Sequence, residues 1–181
     1  EGYKVADKMA EHGVGGGTFS DWWAYKYEVN DAIPFNAAIM ASQGVTVAIN
    51  SDDAEMSRRL NQEAGKTVKY GGMSEIEAWK TVTLNPAKLL HLDDRVGSIE
   101  EGKDADLVLW SDHPLSVYAK AEKTLIEGKV YFDLEKDKKL RESIKKERNQ
   151  LIGMMLNEKK KGEKTRTPVQ SKKQKFNCDT L

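Results

Sequence analysis

Two aspartates stand side by side where an apolar run stops. Residues 45 to 50 read VTVAIN, Ser51 follows, and Asp52 and Asp53 then open a segment with helical periodicity. The run is rich in β-branched residues and reads as a strand. In parallel α/β architectures ligands gather at the carboxyl ends of strands, because the βα loops converge there and helix N-termini favour negative charge. Asp52 is thereby delivered to the face where chemistry is done. Asp53 is better placed to cap the following helix, its side chain accepting a hydrogen bond from an otherwise unpaired helical N–H. The plain alternative is that both residues only cap and solubilise a helix start. A second constellation is TFSDWWAYKY at residues 18 to 27, with Asp21, Trp22, Trp23, Tyr25 and Tyr27. A carboxylate beside an aromatic wall suits a ring or a basic group. Here the alternative is that the tryptophans pack against the next helix.

Other chemistries lack their residues. The three histidines, His12, His91 and His113, form no His-x-His, and none sits at the end of an expected strand. The glycines at 15 to 17 have neither a following Lys-Ser/Thr nor a Gly-x-Gly-x-x-Gly frame, so a turn role is expected rather than a phosphate cradle. No Gly-x-Ser-x-Gly elbow supports serine hydrolysis. Cys178 is the single cysteine, which rules out an intrachain disulfide.

The elements that must position Asp21 and Asp52 follow from spacing. Val5, Met9 and neighbouring alanines predict a helix over residues 3 to 12, stopped at His12-Gly13. The glycine-rich stretch that follows reads as a flexible turn into a short extended segment, which delivers Asp21, Trp22 and Trp23 to a loop. Residues 30 to 44 predict a helix closed by Gly44, and VTVAIN the next strand. Met56, Leu60, Ala64 and Val68 predict one buried helix face ending at Gly71-Gly72. Ser74 and Glu77 form a capping box for a helix expected to bury Ile76, Trp79 and Val82. Asn85 is the expected cap of a last short helix, with Pro86 in its first turn. Alternating helix and strand favours parallel strands joined by crossover helices.

Beyond Leu92 the character changes to turn signals at Gly97 and Gly102, short strands, and a hairpin about Glu127-Gly128. Within the strand after Asp106, Leu107 and Leu109 would share one face, and Val108 and Trp110 the other. From Leu134 a charged helix keeps Leu140, Ile144, Leu151 and Met155 near one face, and residues after about 157 read as disordered. Lys plus Arg and Asp plus Glu each total 29, yet residues from 134 onward hold 15 basic and 7 acidic side chains against 14 and 22 before them. An acidic body thus precedes a basic tail. No apolar run approaches the roughly 18 to 20 residues of a membrane span, and residues 1 to 20 carry no signal-peptide pattern. The chain begins at Glu1 inside what reads as a helix, so the natural beginning is expected upstream and the compartment stays unknown.

GVTVAINSDD, TLNPAKLL, VGSIEEGKDADLVLW and KTLIEGKVYFD, in that order, resemble the C-terminal third of the amidohydrolase superfamily, of the imidazolonepropionase-like kind. The resemblance runs from about residue 3 to 133. Its most specific part is Gly97-x-Ile99-x-x-Gly102-x-x-Ala105-Asp106-Leu107-Val108, preceded by Asn85-Pro86-Ala87. It implies an α/β fold: the C-terminal portion of a (β/α)8 TIM barrel plus part of a small composite β-sandwich, followed by the charged helix. The domains would be residues 1–92 for the last barrel strands and helices, 93–133 for the distal sandwich strands, 134–156 for the helix and 157–181 for the basic tail.

Family members hold one or two divalent metals, usually zinc, with a His-x-His on the first barrel strand, a lysine or glutamate on the fourth, histidines on the fifth and sixth, and an aspartate ending the eighth. Only the aspartate matches, which makes Asp52 the implied metal ligand and catalytic proton shuttle. Asp21, Trp22, Trp23 and Tyr25 fall in the implied loop after the seventh strand as substrate-binding residues. His91 departs from the glycine many relatives carry after the paired leucines. The resemblance implies metal-dependent hydrolysis of a C–N bond in an amide, cyclic amide or dipeptide-like small molecule. The other ligands, and the partner strands of the same barrel, would lie upstream of Glu1, so the chain alone is expected to be inactive and its open strand edges to favour association. The competing reading is a non-catalytic module binding nucleic acid or a membrane surface through the basic tail. That tail lacks interleaved aromatics and a recognition motif, so a solvated extension or linker is the preferred reading over a nucleic-acid partner.

Overall fold

A computed structural model of the chain describes residues 1–166. Two compact units are present, Glu1–Leu134 and Glu135–Leu181. In the first, a 3-10 turn at Gly2–Val5 leads into helix α1, Ala6–His12. Gly13 closes the helix at φ 80°, donating its N–H to the carbonyls of Met9 and Ala10 at 3.0 and 3.1 Å. Strand β1, Gly16–Thr18, then passes through helix α2, Asn36–Ser42, to strand β2, Val47–Ile49, and the two strands pair in parallel with Gly16 opposite Val47 and Thr18 opposite Ile49. The expected parallel crossover is therefore present. Gly16 and Gly17, read from sequence as part of a turn, are the strand itself. A Cβ on the adjacent Gly15 would lie 2.9 Å from the Thr46 carbonyl, so close backbone approach rather than flexibility explains a glycine there. Helix α2 starts later than expected, because Pro34 holds Ile33 away from helical geometry. Ala6, Ala37, Met40, Val45 and Val47 form the buried core beneath this unit, with Tyr3 and Met9 packed against it.

Beyond β2, a 3-10 turn at Met56–Arg59 leads into α3, Leu60–Gly71, which ends at Gly72 with φ 68°. Of the expected row Ala64 is fully buried and Met56, Leu60 and Val68 are half-buried, while Asn61, Glu63 and Thr67 join Ala64 on the buried face. Three residues per turn in the 3-10 segment break the four-residue row before α3 begins. Helix α4, Glu75–Lys80, has the expected cap, with Ser74 Oγ accepting the Glu77 N–H at 3.2 Å. It buries Ala78, whereas Ile76, expected inside, is 70% exposed. Helix α5 spans Leu84–Leu89 and takes Thr83 as its N-terminal neighbour, so Asn85 lies within it and caps nothing. Instead its Nδ2 donates to the Val47 carbonyl at 2.8 Å, while the Ile49 N–H donates to the Thr81 carbonyl at 2.9 Å. These two bonds occupy the Val47 carbonyl and the Ile49 N–H on the edge of β2 that faces away from β1.

Strands β3, Leu107–Trp110, β4, Ala121–Ile126, and β5, Lys129–Asp133, form an antiparallel sheet in that order. The hairpin turns at Glu127 and Gly128, with φ 48° and 74°. A register shift between Leu109 and Trp110 breaks strict alternation, so the half-buried pair is Leu107 and Trp110 rather than Leu107 and Leu109. Trp110 meets Trp79 of α4 edge to face at 6.4 Å.

Helix α6, Leu134–Lys160, carries the chain into the second unit. It runs past the end expected at residue 156, so residues 157 to 160 are helical rather than disordered. None of its residues is buried, and Leu140, Ile144, Leu151 and Met155 all remain accessible. Acidic Glu135 and Asp137 open it and Lys159 and Lys160 end it, which complements the helix dipole. Residues 167 to 181 of the expected basic tail lie outside the described residues. Among the described residues no helix is long and apolar enough to cross a membrane.

Gly97 and Gly102 separate two costs. Gly97, at φ 91°, would bring a new Cβ to 2.7 Å from Ala87 Cβ and 3.1 Å from the Thr83 carbonyl, whereas Gly102, at φ 94°, faces open space. Gly102→Ala should therefore cost about 1 kcal/mol from backbone strain alone, and Gly97→Ala about 3 kcal/mol or more. Urea unfolding of the two variants checks this, and equal costs would mean the Gly97 turn is not packed against α5 as described.

Candidate active site

The carboxyl ends of β1 and β2 lie side by side. The Asn50 N–H donates to the Thr18 carbonyl at 3.0 Å, one residue past β2, so the loop carrying Asp21 and the loop carrying Asp52 leave adjacent strand ends. Below them Asn36 of α2 is fully buried; its Nδ2 donates to Thr18 Oγ1 at 2.7 Å and its Oδ1 accepts the Tyr3 N–H at 2.9 Å. That bridge fixes the end of β1 to the core helix.

The two adjacent aspartates have separate tasks. Asp53 Oδ1 accepts the N–H groups of Glu55 and Met56 at 2.8 and 2.9 Å, the capping geometry expected from sequence. Asp52 is exposed, has φ 48°, and among the described residues its carboxylate makes no hydrogen bond or ion pair. Holding a non-glycine residue in that left-handed region costs about 1 kcal/mol. The carboxylate left free is therefore the one at the strand end.

Asp21 is not free. Its Oδ1 accepts from Lys66 Nζ of α3 at 2.9 Å and lies 3.1 Å from Ser20 Oγ, whose single O–H is directed to Glu63. Lys66 also reaches Glu63 Oε2 at 3.0 Å, and Ser20 Oγ hydrogen-bonds the same Glu63 oxygen. Glu63 is a buried carboxylate, its side chain only 7% exposed. Burial by itself pushes the Lys66 pKa down, but hydrogen bonds and charge from Asp21 and Glu63 outweigh it and raise it above 10.5. Around Asp21, Phe19 stacks on Trp22 at 4.4 Å and 20°, and Trp22 meets Tyr25 edge-on at 5.3 Å. Trp22 opens the 3-10 turn Trp22–Ala24, while Trp23 and Tyr25 are largely exposed. The aromatics thus pack on one another in the loop.

Sequence reasoning missed Ser20, Glu63 and Lys66. Their signal was the i,i+3 spacing of Glu63 and Lys66 on a helix whose buried face is polar, visible only once α3 is known to turn Asn61, Glu63 and Thr67 inward. The histidines stay apart. His12 ends α1, His91 follows α5 at φ 55°, and His113 lies 3.5 Å from Glu75 and accepts the Leu115 N–H. Among the described residues no cluster of three or more His, Cys, Asp or Glu could hold a metal ion. Asp52 is an exposed carboxylate that belongs to no such cluster.

Comparison with known proteins supplies the wider frame. Residues 29–152 match the model of the amidohydrolase family, and the chain belongs to that family. It is 34% identical over 116 residues to amidohydrolase tasK of Hapsidospora irregularis, covering 64% of this chain and 12% of that protein. It is also 34% identical over 85 residues to an imidazolonepropionase of Thermoplasma volcanium, covering 46% of this chain and 21% of that one. Among solved structures, an amidohydrolase from Thermotoga maritima MSB8 matches with a TM-score of 0.65 and 34% identity over 73% of this chain and 35% of its own. An adenosine deaminase from Xanthomonas campestris with bound zinc shares the fold at a TM-score of 0.54 and 22% identity, over 72% of this chain and 35% of its own. The chain therefore spans between about an eighth and a third of these proteins, and the fold it shares with them is of the α/β TIM-barrel type.

The raised Lys66 pKa makes a stability prediction. A lysine whose folded pKa exceeds its unfolded value stabilises the fold fully below about 10.5 and loses that contribution as pH rises through the folded pKa. Lys66→Met should flatten the alkaline limb relative to the unsubstituted chain. Urea unfolding from about pH 8 to 12 measures both, and parallel curves would show the network to be energetically idle.

Proposed function

We propose that this chain forms the closing part of a metal-dependent amidohydrolase, with β1 and β2 as the seventh and eighth strands of a (β/α)8 barrel, β3 to β5 as the distal strands of a composite β-sandwich, and Asp52 as the aspartate that ligates the metal and carries the proton. The observation that carries this reading is the division of labour at residues 52 and 53: Asp53 is used up as a helix cap, and Asp52 is held at the strand end with no partner among the described residues. On the far edge of β2, where a first barrel strand would pair, Thr81 and Asn85 take only the Ile49 N–H and the Val47 carbonyl, and among the described residues nothing pairs with the outer N–H and C=O of Gly17 on β1. An open edge there suits the preceding strand of a barrel.

A divalent ion, zinc by family resemblance, lowers the pKa of a water to about 7 and polarises a carbonyl. This chain supplies one ligand toward it, Asp52, and the remaining ligands come from other strands of the intact protein. Asp52 accepts the proton of the attacking water and returns it to the leaving nitrogen, which makes the departing group an amine rather than an amide anion. Asp21, Trp22, Trp23 and Tyr25 line the substrate side, where a carboxylate and aromatic faces orient a small amide, a cyclic amide of the imidazolone kind, or a dipeptide-like molecule. Among the described residues there is no ligand set, and the 181-residue chain alone does not turn over such substrates.

The intact protein carrying this segment, reconstituted with zinc and assayed against dipeptides, N-acyl amino acids and five-membered cyclic amides, should release product from at least one class. Asp52→Asn should lower kcat by about 100-fold or more, whereas Asp53→Ala should cost about 1 kcal/mol of stability and leave kcat within a few fold. Full activity in Asp52→Asn, or equal turnover by the 181-residue chain alone, refutes the assignment.

A further inference from the structure

Asp21 is held by groups that are themselves held. A carboxylate as deep as Glu63 is costly unless paired, and it is paired, with Lys66 Nζ at 3.0 Å and with the Ser20 hydroxyl. Lys66 also donates to Asp21 Oδ1 at 2.9 Å, while the single O–H of Ser20, 3.1 Å from that oxygen, is directed to Glu63. Glu63 is thus the fixed point, Lys66 is the link, and Asp21 is the member carried toward the strand ends. The groups facing Asp21 are Lys66 and Glu63 from α3 and Ser20 from its own loop. The link holds one oxygen of Asp21, and among the described residues Oδ2 has no partner. Two carboxylates and one ammonium leave the cluster with one net negative charge, beside the Phe19, Trp22 and Tyr25 rings.

We propose that Lys66, anchored by Glu63, is a positioning residue that fixes the Asp21 carboxylate so that its open oxygen receives an N–H donor or a cationic group of the substrate. This rests on the reading of Asp21 as a substrate-side residue. Without the ammonium, Glu63 would repel Asp21, and the loop would lose both its direction and its charge state. Preference for a positively charged or N–H-rich amide follows from the net charge of the cluster, because a neutral acceptor pair would show no such preference. A bracket built on a helix also limits the motion of a loop that is otherwise only a 3-10 turn and exposed aromatics.

Two measurements test this, and they fail separately. In the 181-residue chain, nitrogen-15 relaxation NMR of the amides from Asp21 to Tyr25 should show Lys66→Met loosening the loop, with order parameters falling by about 0.2, and Lys66→Arg restoring them. In the zinc-loaded intact protein, on whichever amide the unsubstituted enzyme hydrolyses, Lys66→Met and Glu63→Gln should raise KM about tenfold with kcat within about threefold, and Lys66→Arg should recover most of the loss. A lower melting temperature with KM unchanged would make the bracket structural only and overturn the proposal. An equal loss from Lys66→Arg and Lys66→Met would do the same. If the unsubstituted protein hydrolyses nothing, the functional reading fails, while the NMR relaxation measurement still decides for or against the bracket.

Discussion

The parallel pairing of β1 with β2 is the constraint on which the rest of the first unit depends. Each strand is only three residues long, and strands that short do not hold together without packing on both sides. The packing comes from Ala37 and Met40 of α2 and from Ala6 of α1, small or flexible side chains that let the helices come close to the strands. Gly15 and Gly16 serve the same close approach, since a Cβ at 15 would meet the Thr46 carbonyl and one at 16 the end of Met40. Once the pair is fixed, the Asn50 to Thr18 bond sets the two following loops side by side, and with them Asp21 and Asp52.

Buried polar groups, not further apolar surface, connect this pair to its neighbours. Asn36 bridges Thr18 to Tyr3, Asn85 ties α5 to the Val47 carbonyl, and Asn61 donates to the Pro114 carbonyl at 2.7 Å. Among the described residues no buried side-chain polar atom lacks a partner. Each such bond contributes only about 1 kcal/mol net, yet removing one partner leaves a desolvated group at a cost of about 1 to 3 kcal/mol. Register is therefore specified more sharply than a core of alanines could specify it.

The physical reason some features were legible in the sequence and others were not is local against long-range. The Gly13 stop, the Ser74 to Glu77 cap, the Asp53 cap and the Glu127-Gly128 hairpin depend on residues a few positions apart, so their chemistry can be read directly. Asn85 followed by proline carries the same local signal as a cap, but its amide is claimed by Val47, 38 residues away. Ile76 satisfies the helical spacing of a core residue, yet what decides burial is the surface opposite it, and periodicity contains no information about that surface. Strict alternation in β3 likewise failed at a bulge set by the pairing with β4. For the site, the position of Asp52 was readable because a strand ending in carboxylates is a local pattern. The Ser20, Glu63 and Lys66 network was not, because it joins residues 43 to 45 apart across two elements.

That network is a poor device for stability, which bears on why it is present. Taking a carboxylate and an ammonium out of water costs several kcal/mol per ion, and well-packed apolar residues of similar volume often stabilise a fold equally or better. Glu63 lies on a buried helix face where leucine or methionine would meet no obvious obstacle of pattern, since Ala64 and Thr67 beside it are already inside. What the charges provide and an apolar patch could not is direction: Lys66 holds one particular oxygen of Asp21 and leaves the other open. Asp52 shows the same preference for placement over stability, in a left-handed backbone conformation without a compensating side-chain bond among the described residues. Two carboxylates at adjacent strand ends, one held by a costly bracket and the other left free at the expense of strain, are poorly accounted for by stability, and the proposed active-site reading gives both a reason.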